Sequence, residues 1–450
     1  MKEKNGFWLL NPASKSESIL LALLILFLPT QLGKHFWPSF SLVSGIRVDY
    51  LSPIIYTTDI LIILLLFLCL WRMGITSLWN FFKRNLLLVI FLLFFLESAL
   101  FALRPLLGFY WWFKLVEFSF LGYYIARTIR YPFQLSLVAL LIGISSYLES
   151  LLAIFQYLSQ SSLNGWLYYL GERTFTGSTP GIANASINGS LILRPYGTFS
   201  HPNVLAAYLL FSSLFVAFFL VRKTVGMTRA VSILMLLLNS VALVLSLSRV
   251  ALALWFILLC STIILYVFKT KSYRKALFFA GLAGSFIGVI LLPFLKTLFL
   301  RFAQTSLTEE AYTQRATLIT HTLTLIQQHP LTGVGLGNFI PALAPLQSAL
   351  SIGLYLQPVH NIFLLIVSET GLIGFALFLW LLIRTYAVAI KKIKQQNRFS
   401  KEYAFFLLLV TCCLFLGLFD HYLLTLQQGA LLFALSMGLC FVRFENDSKE

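Results

Sequence analysis

Along this chain, apolar positions come in long unbroken runs divided by short polar stretches. The runs at 60–70 and 86–96 show no alternation of apolar and polar residues. A membrane barrel strand would alternate, so unbroken runs predict helices. Twelve of them approach the ~20 residues needed to cross a bilayer. They fall roughly at 18–32, 53–71, 86–103, 109–126, 133–158, 202–221, 230–247, 250–268, 276–299, 361–383, 403–419 and 424–442. The pattern predicts an all-α integral membrane protein of about 12 transmembrane helices. The first run, 19–29, has no small-residue cleavage site after it and is expected to remain as a helix.

Two longer polar segments interrupt the runs. Residues 159–200 are rich in Gly, Ser, Asn and Thr and predict an ordered loop or a partly mobile lid. Residues 301–359 contain a helix of soluble type. Ser306 and Glu309 fit a capping box at its start. Tyr312, Ala316, Ile319, Leu323 and Ile326 then recur every three or four residues as one apolar stripe. His329 and Pro330 end this helix, and GVGLGNF at 333–339 follows as a glycine-rich turn. No internal repeat is visible.

Composition sharpens the picture. Of 450 residues, 59% are hydrophobic and 11% are charged, and a soluble protein cannot hide that much apolar surface. The net charge of +17 raises the possibility of nucleic acid, but the basic residues gather in short loops between apolar runs. The loops around Lys83 and Arg84, Arg127 and Arg130, Arg222 to Arg229, Lys269 to Lys275, and Lys391 to Lys401 fall on one side. The positive-inside rule makes that side the cytoplasm, with both termini there. The expected partner is therefore the lipid bilayer, with no nucleic acid. The five cysteines, Cys69, Cys260, Cys412, Cys413 and Cys440, lie in or at the end of apolar runs without metal-ligand spacing and read as packing residues.

Positive charge on the opposite, outer side is scarce, so each instance is a candidate for chemistry. Arg194 stands in LRPYGTFSHPN, Arg249 in SLSRVALA, and Arg315 on the amphipathic helix. Arg249 falls at the tip of a very short hairpin between two spans. There it either forks to phosphate or snorkels to the interface. Arg315 lies beside the apolar stripe, either aimed at a lipid headgroup or as an ordinary rim residue. His360 opens the tenth span in HNIFLLIVSETGLIG. Histidine is the side chain best suited to proton transfer near neutral pH. On a continuous helix, Gly371 lies about 20° from the His360 direction and Gly374 about 40° off on the other side. All three would then share a face on which the glycines admit a helix or a lipid chain. The alternative is an interface histidine above a packing groove.

Other candidates are weaker. His201 reads as a cap of the sixth span. Asp420 and His421 are an adjacent acid and base in the last outer hairpin, with nothing in the sequence to make them point together. Lys114 and Glu117 are expected to neutralise each other. Glu97, Glu149 and Glu369 are intramembrane acids, which raise a functional hypothesis by default, but they have no evident partners. The sequence has no phosphate-binding glycine loop beside a lysine and serine, and no Asp-rich motif in an outer loop. A metal or nucleotide cofactor is therefore not expected.

From His360 the order is His-Asn, nine residues, Gly, two residues, Gly. This resembles the signature of the O-antigen ligase family. RPYGTFSHPNVLAAYL at 194–209, SLSRVALA with Arg249, QRATLI with Arg315, and HPLTGVGLGNF are similar to that family's segments, in the same order. The resemblance is best from about 194 to 374. The first five spans match in hydropathy and in SPIIYTTDILI near Asp59. The superfamily contains O-antigen ligases, Wzy-type O-antigen polymerases and protein-glycosylating oligosaccharyltransferases, which these motifs do not separate.

The resemblance implies a GT-C-like membrane glycosyltransferase in a bacterial cytoplasmic membrane, working on its outer face without metal or nucleotide. The donor would be a polyprenyl-diphosphate-linked glycan. The acceptor would be a glycan, lipid core, wall polymer or protein. Arg249 and Arg315 would hold the diphosphate, with Arg194 assisting. His360 would help deprotonate the acceptor for attack with inversion. Asn361, Gly371 and Gly374 complete the signature as substrate-binding positions. The expected organisation is a five-helix region over 1–200, a ligase-like region over 201–443 with its large outer loop at 301–359, and a cytoplasmic tail at 444–450. A lipid-linked oligosaccharide transporter is the rival class. It would place its polar groups near the midplane on broken helices.

Overall fold

The computed structural model describes residues 14–130, 132–187, 190–221, 226–270, 310–346, 356–395 and 398–444. The described chain is mostly helical, with three two-stranded antiparallel pairs as its only sheet. Five of its helices are long and apolar enough to cross a membrane: Gln134–Ser159, Pro202–Leu220, Gly226–Leu245, Ile362–Lys394 and Ser400–Gly417. Leu86–Leu100, Arg249–Thr262 and Gln427–Phe441 are shorter apolar helices. The expected span at 276–299 and the capping box of Ser306 and Glu309 lie outside the described residues.

The chain divides into two compact units. The first takes residues 1–28, 33–135 and 308–450. It holds α1 (Lys15–Leu26), α2 (Thr57–Arg84), α3 (Leu86–Leu100) and α4 (Pro105–Thr128). The second takes 29–32 and 136–307. Helix α5 (Pro132–Ser159) lies almost wholly within it, followed by α6 (Pro202–Phe215), α7 (Gly226–Leu245) and α8 (Arg249–Thr270). The remaining helices return to the first unit: α9 (Glu310–Gln328), α10 (Phe339–Leu343), α11 (Ile362–Lys394), α12 (Ser400–Gly417), α13 (Tyr422–Thr425) and α14 (Gln427–Phe441).

In the first unit, polar side chains tie apolar helices together where the hydrophobic effect between helices is weak. Glu17 on α1 accepts from the Arg72 guanidinium of α2 and from the Tyr124 hydroxyl of α4, each at 2.8 Å. Lys114 on α4 pairs with Asp59 of α2, and Gln427 of α14 bonds to both. The expected Lys114–Glu117 pair is present at 3.5 Å, with Asp59 as a second and closer partner. A neighbour on another helix supplies the closer counter-charge.

Helix α11 breaks at Gly371, whose backbone is left-handed at φ 64°. The loop at 330–337 fills the break. The Leu372 and Ile373 amides donate to Pro330 and Leu331 oxygens, while Val334 and Gly335 amides donate to Ser368 and Glu369 oxygens. The Glu369 carboxylate then accepts from the Gly337 and Phe339 amides, which seats the start of α10. Backbone groups freed at such depth need partners within the protein, and this loop provides them. Glu369 therefore does have partners, and they lie in the loop.

Helix α9 turns a different face inward from the one its stripe predicts. Leu318, Thr322 and Leu325 are buried, whereas Ala316, Ile319 and Leu323 are exposed. Both series fit helical spacing, because this helix carries apolar residues on two sides. The buried face packs into a cluster with Val334, Phe339, Leu343, Val359 and Leu365.

In the second unit, α6 is the buried centre. The Asn239 amide of α7 bonds to Ser146 and Ser150 of α5, and the Tyr208 hydroxyl donates to Ser145 at 2.8 Å. The segment expected as a loop or lid is ordered where described, with a 3-10 turn at Gly165–Leu170 and a hairpin of Asn184–Ile187 and Ser190–Leu193. Acids and amides mould it. Glu149 accepts from the Thr198 amide and hydroxyl. Gln156 accepts from the Tyr196 and Gly197 amides, and Glu172 from those of Leu163 and Asn164.

Candidate active site

The sequence places His360 just before α11, and the structure shows what that position meets. Asn361 caps the helix, its oxygen accepting from the Phe363 and Leu364 amides. Its amide nitrogen donates to the Leu418 carbonyl at the end of α12. Gly417 lets that end approach: a Cβ there would come within 2.5 Å of the Ile362 side chain. The chain leaving α12 thereby carries Asp420 to His360.

Asp420 Oδ1 lies 3.3 Å from His360 Nδ1 and accepts from the His421 amide at 2.8 Å. His421 Nε2 is 3.9 Å from the same oxygen, and its Nδ1 meets the Thr425 hydroxyl at 2.6 Å. The two imidazoles stand 5.0 Å apart between ring centres, and Tyr50 meets His421 edge-on. The side chain of His360 is 19% exposed, Asp420 12% and His421 3%. His360 is thus the member open to a second molecule. Burial pushes the neighbouring Tyr422 phenol well above its ordinary range, which keeps it neutral.

The sequence held Asp420 and His421 as an isolated pair, and it did not flag Tyr50 or Thr425. The available signal was topological: FDHYL lies in a turn on the same predicted side as HN, sixty residues away. The three titratable groups offer ligand atoms all within 4.8 Å of one another, close enough by distance for a metal ion. The bonding pattern fits another use. One carboxylate oxygen meets the His360 imidazole and accepts from the His421 backbone amide, as in a carboxylate fixed by the chain that orients one imidazole.

Arg315 projects from the buried side of α9, at i, i+3, i+7 and i+10 with Leu318, Thr322 and Leu325. That face packs into the cluster containing Val359, the residue before His360. Arg315 itself is half-buried. Gly371 does not share a helix face with His360, because the helix is broken there. A Cβ at Gly371 would fall 2.1 Å from the Leu331 oxygen, and one at Gly374 would press on Thr370 and Phe94. Both glycines admit protein rather than a lipid chain.

The second unit holds the other two arginines. Arg194 is buried, with Nε donating to the Ser246 carbonyl and Nη2 to the Asn203 side chain, both at 2.7 Å. Leu247 follows in a left-handed conformation, φ 51°, packed against Ala185 and Ile192 of the hairpin. Arg194 thus braces the turn that presents Arg249 at the first position of α8. A helix N-terminus adds partial positive charge to that guanidinium. His201 acts as the expected cap, its Nδ1 accepting from the Asn203 amide at 3.1 Å.

Within the first unit, a cavity of about 780 Å³ runs along α3, α4, α11 and α14. One end is lined by Tyr50, Pro358, Leu424 and Thr425, which border the histidine cluster. Its walls are mainly apolar, and the other end is basic.

No curated protein matches this chain. Residues 234–379, from α7 into α11, match the family model described as O-Antigen ligase. That stretch includes Arg249, Arg315 and His360. Over these residues the chain is similar to the O-antigen ligase family, and the match supports a relationship to the O-antigen ligase and Wzy-type superfamily.

Proposed function

We propose that the chain is a twelve-span glycosyltransferase of a bacterial cytoplasmic membrane. In this reading both termini are cytoplasmic and the His360 end faces outward. It transfers a glycan from a polyprenyl-diphosphate carrier to an acceptor hydroxyl, without metal and with inversion. The observation that carries this reading is His360 itself: partly open, held by Asp420, beside an apolar cavity suited to a lipid carrier.

The chemistry follows from that arrangement. Asp420 at Nδ1 favours the tautomer protonated there, leaving Nε2 as the base. Nε2 takes the acceptor proton as the acceptor oxygen bonds to the anomeric carbon. The bond to the diphosphate breaks, and its electron pair leaves with the carrier. Asp420 stabilises the imidazolium. Arg315 and Arg249 stabilise the leaving diphosphate, an electrostatic contribution that metal ions make elsewhere. Arg194 and Asn361 position, through the Arg249 turn and the α11 cap. Gly371 and Gly374 shape the protein wall.

Two other readings have support. A polymerase would use another carrier-linked repeat as acceptor, and the family covers both. The length of the cavity favours a lipid-linked oligosaccharide transporter. The break in α11 does not, because its backbone groups are already bonded to the 330–337 loop.

The test is glycan transfer from a polyprenyl-diphosphate donor by purified protein, with chelator and no nucleotide, across a panel of acceptors. Wild type is compared with folded His360→Ala and Arg249→Ala. Transfer should persist in chelator and fall by roughly 10²–10⁴-fold in His360→Ala, the usual scale of general-base help. Loss of transfer in chelator, restored by a divalent ion, would instead make His360, Asp420 and His421 metal ligands. Growth of glycan on its carrier would identify the polymerase. Donor movement across liposomes without transfer would identify the transporter.

A further inference from the structure

The cavity in the first unit has two chemically different ends. Helix α4 supplies one wall at a three-to-four residue spacing, Trp111, Lys114, Phe118, Gly122 and Ala126, with Arg127 next to the last. Helix α14 lies against it closely, since a Cβ at Gly438 would come 2.5 Å from the Gly122 oxygen. Away from the histidine cluster, the lining becomes basic. Arg127 and Arg130 come from the end of α4, Arg384 and Lys392 from α11, and Arg443 from beyond α14. Three separate parts of the chain thus bring cations to one end of one apolar space.

The only carboxylate in the described lining is Glu369, which is bonded to the Gly337 and Phe339 amides. Arg384 stands thirteen residues past the break at Gly371, roughly 20 Å along the helix at 1.5 Å per residue. Lys392 helps build the end of the site by donating to the Cys440 and Val442 carbonyls. Arg127 lies over the Tyr123 ring. Arg384 and Arg443 are exposed.

Charge placed only for topology belongs in loops. Here Arg384 sits ten residues inside α11, on the same helix face as Leu381, Val388 and Lys392, and all four line the cavity. An apolar trough with a guanidinium cluster at one end matches an anionic amphiphile. We propose that this end of the cavity binds an anionic phospholipid from the bilayer leaflet facing it. The headgroup phosphate sits among Arg384, Arg443 and Arg130, and an acyl chain lies along Phe118, Gly122 and Phe378. The site is separate from the histidine cluster and does not depend on the transfer reaction.

The experiment is native mass spectrometry of the delipidated full-length protein, titrated with phosphatidylglycerol or phosphatidylcholine. Arg384→Gln/Arg443→Gln and Lys83→Gln are measured beside wild type, each checked by thermal melting. Wild type should hold one phosphatidylglycerol at least tenfold more tightly than phosphatidylcholine. The double variant should lose roughly tenfold of that preference. Lys83→Gln, which removes a basic residue outside the lining, should keep it. Equal binding of the two lipids by wild type, or an unchanged preference in the double variant, would overturn the proposal. So would an equal loss in Lys83→Gln, because general attraction to basic loops would then explain the binding.

Discussion

Two regions of one short stretch, eleven residues apart, use polar groups in opposite ways. At Gly371 the helix is broken, but the Leu372 and Ile373 amides and the Ser368 and Glu369 carbonyls meet the 330–337 loop, and the Glu369 carboxylate is bonded to two amides. At His360 the partners orient the side chain and leave part of it open. Depth in the membrane therefore does not identify function in this protein. What separates the two regions is remaining hydrogen-bonding capacity. The second unit repeats the first pattern: Glu149 takes the Thr198 amide and hydroxyl, under a left-handed Gly197 whose Cβ would strike that carboxylate.

The most disruptive way to break the comparison is Gly371→Ala. A left-handed alanine costs ~1–3 kcal/mol, and forced contact with the Leu331 backbone adds ~1–3 kcal/mol. The variant should purify poorly or melt far below wild type in detergent. Wild-type melting would mean that the break is not a fixed element. Next is Glu369→Ala, which leaves the Gly337 and Phe339 amides without their acceptor. A loss of ~2–4 kcal/mol is expected. Glu369→Gln keeps an acceptor oxygen and should recover about half of it. Similar melting of the two would show that carboxylate volume, rather than hydrogen bonding, fills the space.

Much of the fold was legible in the sequence because helices in lipid must satisfy their own backbone and so need long apolar runs. Candidate chemistry was legible where a residue was out of place: His360, Arg249 and Arg315 are polar groups at the edges of apolar segments. Contacts between distant segments were not legible. Nothing in the order of residues says that Gly417 lets Asp420 reach His360, or that Asp59 rather than Glu117 is closest to Lys114. Periodicity also misled. Helix α9 carries two apolar series, and which one faces inward depends on the shape of α10 and α11. Leu325→Ala should cost ~2–3 kcal/mol in melting, and Leu323→Ala less than ~0.5 kcal/mol. The reverse order would restore the stripe read from sequence.

The last prediction is the one most specific to the proposed transfer reaction. Asp420→Asn keeps the size of the side chain and can still contact His360. It removes the charge that favours a protonated Nδ1 and stabilises the imidazolium. Transfer should fall by about 10–100-fold, ~1.4–2.7 kcal/mol in the barrier, while KM for the donor and the melting temperature stay close to wild type. That split matters because a purely structural Asp420 would move melting and rate together. In the double variant with His360→Ala, the two losses should not add, since an orienting carboxylate has nothing left to orient. Additive losses would detach Asp420 from the histidine. The comparison would then rest on His360 alone, with Asp420 joining Glu369 and Glu149 as a clamp for the chain around it.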